Sequence, residues 1–84
     1  MSEQVDFTGL VRTLVEPIVE HVDELQITEI VDEELGGVLV EIRVHEDDAG
    51  KVIGRQGRVI KAIRTLVRAA ATRAGQHVDV ELID

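Results

Sequence analysis

No cysteine occurs in the 84 residues, which excludes a disulfide framework and a thiolate metal site and favours a reducing compartment. Phe7 is the single aromatic side chain, so the platform of stacked rings on which many RNA-binding surfaces hold bases is excluded as well. No stretch approaches the roughly 20 apolar residues that span a bilayer. Met1 to Asp6 lacks the basic start and apolar run of a secretory leader. A soluble, cytoplasmic protein is the expectation. At this length the chain buries only about 60–65% of the surface its unfolded form exposes, enough for one domain with a thin core.

The most informative shortage is local. The net charge of −8 speaks at first against a polyanionic ligand, since phosphate contact needs Lys and Arg. From Met1 to Asp48, fourteen acidic residues stand against only Arg12 and Arg43. Residues 49–78 then contain no acid at all and carry Lys51, Arg55, Arg58, Lys61, Arg64, Arg68 and Arg73, before Asp79, Glu81 and Asp84 close the chain. A basic surface on an acidic body directs an anion to one place.

Apolar spacing supplies the elements. Phe7, Leu10, Val11, Leu14 and Ile18 recur at helical intervals, predicting an amphipathic helix over Asp6 to His21. Pro17 lies inside it and predicts a kink, or a short second turn beginning there. Leu25 to Asp32 reads as a strand, with Ile30 and Val31 breaking its alternation and suggesting a bulge or twist. After the turn Glu33-Glu34-Leu35-Gly36-Gly37, residues Val38, Val40, Ile42 and Val44 alternate with Leu39, Glu41, Arg43 and His45, the clearest half-buried strand of the chain. A carboxylate at Asp47 or Asp48 is suited to cap a short helix through Ile53. Arg58 to Ala74 is a long helix with Val59, Ile60, Ile63, Leu66, Val67, Ala70 and Ala74 on one face and Gly75 as its stop. Val78, Val80 and Leu82 alternate in a final strand. The order is α-β-β-α-α-β, a single α+β domain over residues 1–84.

The chemistry concentrates in Gly50-Lys51-Val52-Ile53-Gly54-Arg55-Gln56-Gly57-Arg58, between the short and the long helix. Two glycines around two polar residues let the chain bend with no Cβ in the way, so that backbone N–H groups can approach a phosphate. The positive end of the long helix begins beside them. Lys51, Arg55 and Arg58 add full charges there. Lys61, Arg64 and Arg68 fall within a sector of about 60° bordering the apolar face. A Gly-x-x-Gly between helices is also a common plain turn, and a basic stripe is often only solvated; the acid-free window is what favours a site. No Walker loop and no Gly-x-Gly-x-x-Gly after a strand is present, so nucleotide hydrolysis is not expected.

The run Asp48-Ala49-Gly50-Lys51-Val52-Ile53-Gly54-Arg55-Gln56-Gly57-Arg58, followed by Lys61-Ala62-Ile63-Arg64-Thr65-Leu66, resembles the signature of KH domains. With the element order, the chain resembles a bacterial (type II) KH domain, and over nearly its whole length the small KhpA (YlqC) family. That resemblance implies a three-stranded sheet with helices packed on one face, and a groove holding about four unpaired nucleotides against the GxxG loop at 54–57. It implies that Gly54, Arg55, Gln56 and Gly57 hold the sugar-phosphate backbone of single-stranded RNA, with charge from Lys51, Arg58, Lys61 and Arg64. Ile53, Val59 and Ile60 are candidates for the apolar floor under the bases, a set from which the core must also draw. The resemblance further implies post-transcriptional regulation or RNA chaperoning. Its other implications are a homodimer or a complex with a larger KhpB/Jag-type protein, and Ile63 with its neighbours as contact residues.

Two rivals stand beside this reading: a protein-interaction module that keeps the KH fold, and a ribosome-maturation factor of related fold. Catalysis, a cofactor and a metal are not expected. His21, His45 and His77 lack the spacing of a metal pair, and Glu33-Glu34 and Glu46-Asp47-Asp48 lack that of a calcium loop, reading instead as solvated turns and a helix cap.

Overall fold

Asp6 sets the first turn: its carboxylate accepts the Thr8 hydroxyl at 2.6 Å and the Gly9 N–H at 3.1 Å. This satisfies donors that a helix start leaves free, and the two bonds hold the Asp6 carboxyl below the usual range. The computed structural model describes residues 6–34 and 36–83, so Leu35 of the expected turn lies outside the described residues. Helix α1 covers Phe7–Val15 and buries Phe7, Val11 and Val15. The apolar pattern continues to Ile18, but the α-helix does not, and its expected extent to His21 is corrected. Pro17 has no N–H to continue the ladder. The chain therefore leaves α1 through a turn closed by Ile18 N–H to Val15 C=O at 2.9 Å, and a separate 3₁₀ turn forms at Val22–Glu24. Val19 and Leu25 are buried from this irregular stretch, which explains its apolar pattern without a helix.

Strands β1 (Gln26–Asp32) and β2 (Gly37–Arg43) pair antiparallel, from Gln26 opposite Arg43 to Asp32 opposite Gly37. The register is continuous, so Ile30 and Val31 make no bulge. Both are exposed, Val31 at 62%. At the end of an edge strand no burial enforces alternation. Strand β3 (Val78–Ile83) lies parallel to β2 with Val40 opposite Val80, giving the order β1-β2-β3. Parallel neighbours need a crossover of a dozen or more residues. Helices α2 (Glu46–Ile53) and α3 (Arg58–Arg73) supply it, so the topology obliges the loop between them to sit on the helical layer.

Val40, Ile42, Val78 and Val80 are buried on one face of the sheet, against Val11 and Val15 of α1, Val52 of α2, and Ile60, Ile63, Val67 and Ala71 of α3. The helices therefore share that face. Two members of the apolar face expected on α3 lie outside the core: Leu66 is 54% exposed and Ala74 is exposed. Leu66 stands about 100° round the helix from Val67, and Ala74 follows the last helical residue. Ile63, named as a partner contact, is instead a core residue with 4% of its surface exposed. Gly75, at φ 70°, follows the end of α3 as expected.

Ile42 lies fully buried at the centre of this layer. Ile42→Ala is expected to lower unfolding stability by about 2–5 kcal/mol, measured by urea titration followed by circular dichroism; a loss below 1 kcal/mol would contradict the packing described.

Candidate nucleic-acid interface

Asp48 is fully buried, the single buried charged side chain among the described residues. One carboxylate oxygen accepts the Glu20 N–H at 3.1 Å; the other accepts the His21 N–H at 2.9 Å and lies 3.2 Å from His21 Nδ1. Lys51 Nζ stands 3.6 Å from the first oxygen and 2.8 Å from Glu20 Oε1. Burial pushes the Asp48 carboxyl up. The Glu20 and His21 backbone donors and the His21 ring more than offset that and bring it down to about 2. Asp48 therefore ties the irregular chain after α1 to the first turn of α2. It is not the cap of α2, and neither is Asp47, which is exposed. The cap is His45, whose Nδ1 accepts the Asp47 N–H at 3.0 Å. The expected carboxylate cap is thus corrected, because Asp48, the third residue of the helix, is buried and bonds Glu20 and His21 instead.

Helix α2 runs straight into the glycine loop. Gly54, at φ 79°, closes the helix through its N–H to Gly50 C=O at 2.9 Å. A Cβ on Gly54 would lie within 2.7 Å of Val59 Cβ and 2.8 Å of Val59 N, so only a bare Cα fits against the start of α3. Arg55–Gly57 forms one tight turn, Gly57 N–H to Gly54 C=O at 3.1 Å, with Gln56 at φ 58° and Gly57 at φ 73°. Two successive left-handed residues turn the loop outward, and non-glycine Gln56 stores strain there. No side chain caps α3. Its first turn keeps its positive dipole end toward solvent.

The basic residues divide into two groups. Arg55 is exposed, Arg58 is exposed with Nη2 3.3 Å from Gln56 Oε1, and Lys61 is exposed with its stem folded toward Gly57. Among the described residues, none of these three has a carboxylate partner. The other group is engaged. Lys51 pairs with Glu20 and Asp48, and the Glu20 hydrogen bond raises its ammonium above the ordinary value. Arg64 Nε donates to Val80 C=O at 2.9 Å and Arg68 Nη2 to Asp79 Oδ1 at 3.0 Å. They span from α3 to the edge strand β3, covering a carbonyl that an edge leaves unpaired. Beside Arg68, between the end of α3 and the start of β3, runs a cleft lined by Arg68, Thr72, Gln76, His77 and Asp79. Of the apolar candidates, Ile53 is 40% exposed beside the loop, Val59 half-buried, and Ile60 a core residue. The structure therefore brings Ile53, Gly54, Arg55, Gln56, Gly57, Arg58 and Lys61 to one rim, with Lys51 and Arg64 set back from it.

His21 and His45, far apart in sequence, are stacked at 3.9 Å between ring centroids with planes 12° apart. Their scattered positions gave no sign of this; only the Asp48-to-Lys51 spacing, one helical turn, was a local cue to the cluster. His21, His45 and Asp47 bring potential ligand atoms within 4.8 Å, but parallel rings direct their in-plane lone pairs side by side, not toward a common ion, and the Asp47 N–H occupies His45 Nδ1.

A family profile described as "KhpA/KhpB, KH domain" matches residues 8–82. The chain is 42% identical over 74 residues to the RNA-binding protein KhpA of Clostridium acetobutylicum, covering 88% of this chain and 96% of that one. It is 44% identical over 77 residues to that of Halalkalibacterium halodurans, covering 87% and 99%. With that of Bacillus subtilis it shares 40% identity over 75 residues, covering 89% and 90%.

Three outcomes are expected from the cluster and loop. Asp48→Ala should lower the melting temperature by on the order of 10 °C, since it strands two backbone donors and the His21 ring. The depressed Asp48 carboxyl stabilises the folded chain above its unfolded value of 3.8, a contribution lost as pH falls toward about 2. Acid unfolding of Asp48→Asn should lack that component. Gly54→Ala should cost about 1–3 kcal/mol through the Val59 contact and the positive φ, read by thermal denaturation.

Proposed function

The chain belongs to the KhpA/KhpB KH-domain family, and from that premise we propose that it is a cytoplasmic protein that binds single-stranded RNA without catalysis, in bacterial post-transcriptional control or RNA chaperoning. The Gly54–Gly57 loop grips the sugar-phosphate backbone. The observation that carries the reading is the coincidence, at one rim, of a helix start without a side-chain cap and three cations without carboxylate partners. Each is a weak attraction for phosphate alone, and all three cations belong to the acid-free window. The names of the relatives support the same ligand.

In this reading, Arg55, Arg58 and Lys61 meet phosphates, and the Gly54–Gly57 backbone lets the strand come close where no Cβ intervenes. Ile53 offers an apolar surface to a base. Arg64 and Arg68, anchored to β3, form the opposite wall of the groove, and Lys51 acts by holding α2 in place. Without stacking rings, affinity is modest and salt-dependent. Self-association, or pairing with a larger KH protein, adds avidity by presenting two grooves to one strand. Leu66, exposed on α3 beside Ala62 and Ala69, suits that contact in place of Ile63.

Fluorescence anisotropy with an unpaired RNA oligonucleotide tests the proposal. Affinity should fall with salt at a log–log slope of about −2, as three phosphate contacts on a single strand require. The double variant Arg55→Asp/Gln56→Asp should lose at least about tenfold in affinity while helix content by circular dichroism stays the same. Undiminished binding by that variant would overturn the loop assignment.

A further inference from the structure

We propose that His45 is a proton-sensitive cap on α2, so that acidification loosens the helix that carries the RNA loop. The inference about RNA rests on the function proposed above; the inference about the cap does not.

The stereochemistry leaves little choice of tautomer. A backbone N–H can only donate, so the 3.0 Å bond from Asp47 N requires a bare His45 Nδ1, and neutral His45 carries its proton on Nε2, facing Glu24 Oε2 at 3.6 Å. His21 is the reverse. Its Nδ1 stands 3.2 Å from the buried, ionised Asp48, so the proton sits on Nδ1 and Nε2 is bare. The two stacked rings thus hold complementary tautomers, each selected by a different part of α2. A second proton has different consequences on each. On His21 it enters at Nε2 and leaves the Asp48 bond intact. On His45 it enters at Nδ1, where it confronts the Asp47 N–H; the cap is lost, and the ring must turn its new donor toward Asp47 Oδ2, 3.6 Å away.

The surroundings decide how the proton is received. Facing the pair are Glu24 from the 3₁₀ turn, Asp47 and Asp48 from α2, and Glu20 with Lys51 across the Asp48 carboxylate. The carboxylates draw a cation in. Stacking at 3.9 Å opposes a second one, because two imidazolium rings face to face repel. A proton therefore reaches His45 Nδ1 only at the cost of the cap. Helix α2 is only Glu46–Ile53, and its other end closes on Gly54. A frayed first turn in so short a helix reaches the loop.

Three measurements test this, the first two without RNA. Side-chain ¹⁵N shifts at pH 7.5 should show His45 protonated on Nε2 and His21 on Nδ1; a His45 Nδ1–H tautomer overturns the proposal. Protection of the Asp47 amide from hydrogen exchange, corrected for intrinsic rate, should drop between pH 7.5 and 5.5 in the wild type. His45→Asn caps without titrating and should keep it unchanged; equal profiles in the two proteins overturn the proposal. Finally, wild-type affinity for an unpaired RNA oligonucleotide should fall relative to His45→Asn over that interval by up to about fivefold, the equilibrium equivalent of one helix cap. If neither protein binds RNA, the functional reading fails while the first two results still decide the cap. If both bind with the same pH dependence, the link from cap to loop is refuted.

Discussion

One buried carboxylate organises the end of this molecule that carries the glycine loop. Asp48 sits fully inside and is satisfied by two backbone amides, an imidazole and an ammonium. A charge in that position is tolerable only when every lone pair is engaged, so the chain after Pro17 must run where Glu20 and His21 can donate. That fixes the irregular segment against α2. It also places Glu20 to hold Lys51, and brings His21 over His45. The orientation of α2, and with it the direction in which the glycine loop leaves, depends on this junction more than on the helix's own propensity. Only Val52 anchors α2 by full apolar burial, together with Asp48 itself.

The loop turns that orientation into an electrostatic feature. Gly54 allows α3 to begin almost in contact with the end of α2, and the left-handed Gln56 and Gly57 face the loop away from the core. The start of α3 then has no side-chain cap. In a chain of net charge −8 that feature stays positive only if the acids keep away from it. Fold and sequence cooperate here. The acids flank α1 and lie in the irregular chain after it, in the hairpin, at the start of α2 and on β3, while residues 49–78 carry only cations. Some of those cations are spent on structure. Arg64 and Arg68 pin α3 to the β3 edge, and Lys51 completes the Asp48 junction. A count of positive charges therefore overstates how many are without a carboxylate partner among the described residues.

Much of the architecture is legible in the amino-acid order because it is local. The periodicity of Ile60, Ile63 and Val67, the alternation of Val38, Val40 and Ile42, and the paired glycines each report on a few neighbouring residues, and α3, β2 and the loop follow from them. The misjudged features share the opposite character. Ile18 and Val19 continue a helical pattern, but they join the core from the irregular chain after the helix has ended. Ile30 and Val31 imitate a bulge because an edge strand imposes little on its last residues. Leu66 matches the apolar face of α3 in type but not in angle.

The sequence alone determined the order of elements, the position of the bend between α2 and α3 and the thirty-residue stretch free of acid, since each depends on covalent neighbours and on residue type. Tertiary structure decided the rest: which cations remain free, that His45 and not a carboxylate caps α2, and that His21 lies on His45 above Asp48. The physical reason is separation along the chain. A hydrogen bond between residues 27 or 28 positions apart leaves no periodic trace, and comes into being only when folding removes both partners from water and each must find the other.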